Sequence, residues 1–341
     1  MPKEIDQGTK IYAAEVMLKH LQALEVEVDG VLHSADIEYI HRMRVATRRL
    51  RSAMQVFKLY LPARRIEKWT QGVRSITQAL GEARDTDVQL ALLAKFQQKV
   101  EEPRLKPGLN RLALRLRQQR AILQTQVVQA LMRFQEEGIA VQMQERLAPI
   151  AAQAQSVYVF TPMLYQHAHD AIQDRLEEFL SYEIYIPQPE RITELHTMRI
   201  FSKRLRYTLE IFAPLFSSGL KTPLQVVRNV QEALGDIHDC DVWVAFLPQF
   251  MEAEHQRMQA YFGHTAPFNR LRPGIEAFLE NRRQSRDKTY EGFVSDWEKW
   301  KERGVWNELR TTIQVPFLKI SSVYPPAPPS PVEPPASPLT A

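Results

Sequence analysis

Residues 41–57 read HRMRVATRRLRSAMQVF, and residues 196–212 read HTMRIFSKRLRYTLEIF. The two stretches match His41 with His196, Met43 with Met198, Arg44 with Arg199 and Arg48 with Lys203, then Arg49 with Arg204, Leu50 with Leu205, Arg51 with Arg206 and Phe57 with Phe212. A second pair follows at almost the same offset, LGEARDTDVQLALL at 80–93 and LGDIHDCDVWVAFL at 234–247. Arg74 and Arg228 each lie six residues before the matched leucines. Arg117 and Arg120 align more loosely with Arg283 and Arg286. A repeat of about 150 residues is too long for a solenoid unit, which leaves duplication of a whole bundle.

The local chemistry within each copy is helical. Only 12 glycines occur in 341 residues, and long stretches are rich in Leu, Ala, Gln, Glu and Arg. Proline and glycine punctuation predicts helices over 8–28, 36–60, 63–99 and 104–136 in one half. The second half repeats them over 162–183, 190–214, 221–262 and 267–302. The expected domain therefore covers 8–302, as half one at 8–137, a partly helical connector at 138–161, and half two at 162–302. A C-terminal extension at 303–321 and a Pro-rich disordered tail at 322–341 complete the expectation.

Charge is concentrated. The net charge is only +4, yet residues 41–51 hold five arginines and residues 196–206 four Arg or Lys, with no acid in either window. The chain thus has a basic site rather than a basic surface. At about 100° per residue, Arg44, Arg48 and Arg51 share a stripe with His41, opposite Met43, Leu50, Met54 and Phe57. His196, Arg199, Lys203 and Arg206 repeat that stripe against Met198, Leu205, Leu209 and Phe212. Arg49 and Arg204 lie off it, flanking the site or facing solvent. Guanidinium forks donate in pairs to phosphate, and a histidine among them becomes protonated when a polyanion arrives. A solvated basic face is the bland alternative for one such helix; the same face twice, with histidine in register, favours an anion site.

The repeated carboxylates Asp85 with Asp87, and Asp239 with Asp241, admit three readings. They orient the arginines from behind, they cap helices or face solvent, or they hold a divalent metal. His238-Asp239 looks like the centre of an HD-type phosphohydrolase, but its counterpart is Arg84-Asp85, which speaks against shared metal chemistry. Two aromatics beside the row, Phe201 and Tyr207, are too few for a base-stacking surface. The sequence has no P-loop, GxSxG, HExxH or EF-hand loop. A single cysteine, Cys240, no signal-like N-terminal run and no membrane-length apolar segment lead to the expectation of a cytoplasmic protein.

HRMRVATRRLRS with LGEARDTDV, and HTMRIFSKRLRYTLEIF with LGDIHDCDV, resemble the CHAD family, the conserved histidine α-helical domain, over about residues 8–302. The resemblance implies an all-α fold of two four-helix bundles related by pseudo-twofold symmetry, with a basic central pore or cleft. It also implies non-enzymatic binding of inorganic polyphosphate and association with polyphosphate granules. The implied contacts fall on His41, Arg44, Arg48, Arg51, Arg74, His196, Arg199, Lys203, Arg206 and Arg228. Arg49, Arg204, Arg117, Arg120, Arg283 and Arg286 are weaker candidates. No cofactor or metal is implied, and the ExExK signature of an attached CYTH triphosphatase is absent. The alternatives are a nucleic-acid binder and, below it, a metal-dependent phosphohydrolase.

Overall fold

The computed structural model describes residues 6–33, 36–216 and 219–323, with side chains up to residue 314. These residues are helical and include no strand. In order come α1 (Gln7–Glu25), the short α2 (Val28–His33), α3 (Glu38–Val56), α4 (Ala63–Lys99), α5 (Lys106–Glu136) and α6 (Ile139–Ala151). The second half follows as α7 (Pro162–Leu180), α8 (Ile192–Phe212), α9 (Lys221–Phe262), α10 (Arg272–Glu302) and α11 (Val305–Val323).

The four long helices expected in each half are present; beyond the short α2 of the first half, each half adds one more. The connector at 138–161 is largely α6, and residues 303–321 supply most of α11. Both extra helices begin directly after a glycine in the left-handed region, Gly138 at φ 60° and Gly304 at φ 68°, where other residues are strained. Both bury an i, i+4, i+8 stripe: Ile139, Met143 and Leu147 in α6, and Val305, Leu309 and Ile313 in α11. Each such side chain stabilises the fold by about 2 kcal/mol. Ser322 and Val323 end α11, while the rest of the Pro-rich tail lies outside the described residues.

The starts of the two halves are tied together. Asp6 caps α1 by accepting from the Thr9 backbone N–H at 2.7 Å, and its Oδ2 also accepts from Thr161 Oγ1 at 2.7 Å. Thr161 in turn caps α7 by accepting from Leu164 N–H at 3.2 Å. Nearby, the matched Phe57 and Phe212 meet edge to face at 5.7 Å within the larger core. Tyr12 stacks on Phe212 and donates to the Ile211 carbonyl at 2.7 Å.

A second, smaller core lies where the α4–α5 and α9–α10 hairpins meet, built on Leu93, Leu109, Leu112, Trp243, Leu247 and Phe278. Here α5 and α10 approach backbone to backbone: a Cβ on Gly108 would lie 2.0 Å from the Leu271 carbonyl oxygen, and one on Gly274 would lie 2.0 Å from that of Leu105. Contacts α3–α4, α4–α5, α5–α10, α10–α9, α9–α8 and α8–α3 form a closed circuit of helices.

Candidate anion-binding cavity

Packing decides where the cations point. Met43, Leu50 and Met54 of α3 and Phe57 at its end are fully buried, as are Met198, Leu205, Leu209 and Phe212 of α8. The opposite faces of these helices therefore look into a cavity of 920 Å³ walled by α3, α4, α8 and α9. His41, Arg44, Arg48 and Arg49 enter it from the first half, and His196, Arg199, Lys203 and Arg206 from the second. A second cavity of 650 Å³ receives Arg48, Arg51, Arg199, Lys203 and Arg204. Arg48, Arg199, Lys203 and Tyr207 line both.

The remaining candidates line neither cavity. Arg74 is exposed, close enough to Arg51 to disfavour its charge. Arg228 and the cavity-lining Arg206 each lie 3.6 Å from Glu210, which also takes Arg49 at 2.9 Å. Arg120 and Arg286 are held by Asp87 and Asp241, each at 2.7 Å. Arg117 and Arg283 are exposed, the latter 3.8 Å from Glu280.

The carboxylates divide by position. Asp85 accepts from Arg44 at 2.9 Å, and Asp239 lies 4.0 Å from Arg199; both acids line the main cavity. Asp87 and Asp241 instead anchor α5 and α10 through Arg120 and Arg286. Glycine lets the orienting acids work at close range. A Cβ on Gly81 would lie 3.9 Å from Arg44 Nε, and one on Gly235 3.7 Å from Arg199 Nε. The guanidiniums thus lie against the α4 and α9 backbones, where alanine fits and a longer side chain would push them aside.

Crowded cations shift one another. Burial, followed by Arg199, Arg48 and Arg44, lowers the Lys203 ammonium to about 7. Burial and then Arg48 bring Arg44 down to about 10. His41 is lowered by burial and Arg84, and His196 by burial, Arg199 and Lys203. The Nε atoms of Arg44, Arg51, Arg199 and Arg206 are buried without a hydrogen-bond partner among the described residues. Buried, unpaired donors among mutually repelling cations form a site short of negative charge.

Three residues of the site have places that the sequence reading did not give them: His238 was weighed only as a metal ligand, Tyr207 only as a stacking ring, and Glu210 not at all. His238 faces His196 with the two Nδ1 atoms 3.0 Å apart, and burial, Arg199 and His196 push it down to about 4. It lies one turn after Gly235 on the face that carries Asp239, so helical spacing from that glycine was the available signal. Glu210 lies just beyond the acid-free window, one turn after Arg206. Tyr207 lies under the Arg206 guanidinium at 4.9 Å. Phe201 likewise lies under Arg204, at 5.2 Å. Among the described residues no three His, Cys, Asp or Glu side chains converge as metal ligands, and no helix is long and apolar enough to cross a membrane.

The CHAD domain family model matches residues 15–248. The crystal structure of the CHAD domain from the plant Ricinus communis aligns with a TM-score of 0.54 at 22% identity, covering 92% of this chain and 94% of that one. PptA from Streptomyces chartreusis aligns with a TM-score of 0.53 at 15% identity, covering 85% of this chain and 99% of that one. At these identities the likeness is one of fold. No curated protein matches the chain. By the family match over most of its length, the chain belongs to the CHAD domain family.

Proposed function

We propose that this chain binds inorganic polyphosphate without chemical change to it, the phosphate chain lying along the α3 and α8 cations. In this reading the halves form two bundles about a pseudo-twofold axis, and the two cavities are one basic passage. The observation that carries it is the convergence of matched cations: Arg48 and Lys203, equivalent in the repeat, both line both cavities, with Arg199 beside them. A linear ligand with about one charge per phosphate suits a row of cations running from one cavity to the next. The CHAD family is associated with polyphosphate. The orphaned guanidinium donors supply the hydrogen bonds that such a ligand would accept. A carrier or scaffold role at polyphosphate granules in the cytoplasm follows from the same reading.

Calorimetric titration with long-chain polyphosphate, run beside single-stranded RNA of matched charge, tests the proposal. The expected result is tight, salt-sensitive polyphosphate binding, weaker RNA binding and no phosphate release on incubation. Equal or preferential RNA binding would make the cavity a general nucleic-acid surface. Phosphate release abolished by Asp239→Ala would make the protein a hydrolase.

A further inference from the structure

We infer that Tyr207 is the specificity-determining residue of the neck between the two cavities, admitting a bare phosphate chain and turning away polyanions with bulky substituents. The inference rests on the polyphosphate reading above.

Of the four residues that line both cavities, Tyr207 alone is not a cation. At about 100° per residue it lies about 20° past His196, at the edge of the cationic stripe. Its ring is 6% exposed and carries the Arg206 guanidinium at 4.9 Å, so its orientation is braced from the side. Among the described residues no group hydrogen-bonds its hydroxyl, which leaves that donor for a ligand oxygen.

The repeat supplies an internal control. The residue matched to Tyr207 is Ser52, which also lines the second cavity. The aromatic side chain between the cavities is therefore supplied by one half only. A polyphosphate chain presents nothing but phosphate oxygens along its length. RNA carries a sugar and a base at every charge, and an aromatic wall beside Arg48 and Lys203 leaves these no room next to the cations they must reach. Charge alone does not distinguish the two polymers, whereas a ring set among the shared cations would.

Three variants test this with long-chain polyphosphate and oligouridylate RNA of matched charge, affinities being read by calorimetry and folding by circular dichroism and thermal melting. Tyr207→Ser makes the halves alike and should shrink the polyphosphate-to-RNA affinity ratio about tenfold, mainly by strengthening RNA binding. Tyr207→Phe keeps the ring and should hold the ratio within about threefold of the parent. Ser52→Tyr adds a second ring at a partly exposed position and should slow polyphosphate association about tenfold. A folded Tyr207→Ser protein with an unchanged ratio would overturn the inference while leaving polyphosphate binding intact. So would an unchanged association rate in Ser52→Tyr, which serves if Tyr207→Ser does not fold. Failure of the parent to bind polyphosphate would instead remove the reading on which the inference rests.

Discussion

In the first half Arg51 and Arg74 repel each other, and among the described residues neither has an ion-pair partner. In the second half their counterparts Arg206 and Arg228 share Glu210 with Arg49, which reaches across from the first half. The position matching Glu210 is Gln55. A similar divergence surrounds the histidines. His41 has Arg84 beside it, a fixed cation 3.5 Å from Glu38, whereas His196 faces the titratable His238. Among the cations lining both cavities the first half offers Arg48, and the second Lys203 with Arg199. The repeat keeps the positions of charge while their character differs: both halves hold arginines and one matched histidine, and the second adds Lys203 and His238, whose charge answers to pH and ligand.

The most severe way to break that comparison removes one cation from each half. Arg44→Ala with Arg199→Ala should weaken polyphosphate binding about 100-fold or more, since each loses a charge-assisted pair, while helicity stays unchanged by circular dichroism. Parental affinity in this double variant would mean that the two halves do not share one site.

Next in size is the pH response of the second half. Free Lys203 loses its proton near pH 7, and a bound polyanion raises that value. Between pH 7 and the raised value the complex holds more protons than the free protein, so affinity should fall as pH rises, by at most about tenfold per unit. Titrations at pH 8 in buffers of different ionisation enthalpy should report uptake of up to about one proton. Lys203→Arg, which copies Arg48, should flatten both effects. Stability runs the other way in the free protein. The unfolded chain keeps Lys203 near 10.5, so between about 7 and 10.5 it holds the extra proton, and this group's contribution to the fold improves as pH rises. Lys203→Met should accordingly raise the thermal midpoint at pH 7 by a few degrees while weakening binding.

A smaller effect should follow Glu210→Gln, which gives the second half the residue matched to Gln55. Freeing Arg49, Arg206 and Arg228 should strengthen binding about threefold at low salt and steepen the salt dependence by up to about one counterion. The smallest sharpening is Gly235→Ala, which should leave affinity within about twofold, against a clear loss in Gly235→Leu as Arg199 is displaced.

The helices and the two cationic stripes were legible in the sequence because each follows from periodicity within a single helix. Met43 and Phe57 had to be buried, so Arg44 and Arg48 had to face the other way. What lay hidden depends on contacts between elements. Asp85 and Asp87 are two residues apart and face different neighbours, one turned to Arg44 and the other to Arg120. That division shows why Arg120 and Arg286, though basic and repeated, brace α5 and α10 outside both cavities. Glu210 draws in an arginine 161 positions away, a pairing that no local spacing announces. The fifth helices were readable in principle, since Ile139, Met143 and Leu147 keep a helical interval, but a reading anchored on the basic repeat treated the segment as a connector.

The two glycine contacts between α5 and α10 have a further consequence. Gly108 meets Leu271 as Gly274 meets Leu105, so each side gives what it receives. That reciprocity is the signature of an isologous contact between identical subunits. A reciprocal contact of this kind needs no covalent link to be complementary. The peptide joining the halves then contributes no new complementarity, only proximity. It frees each copy to change without its twin, as at Ser52 and Tyr207 or Gln55 and Glu210. At this contact the single chain combines a dimer-like reciprocity with differences elsewhere that a symmetric dimer is denied.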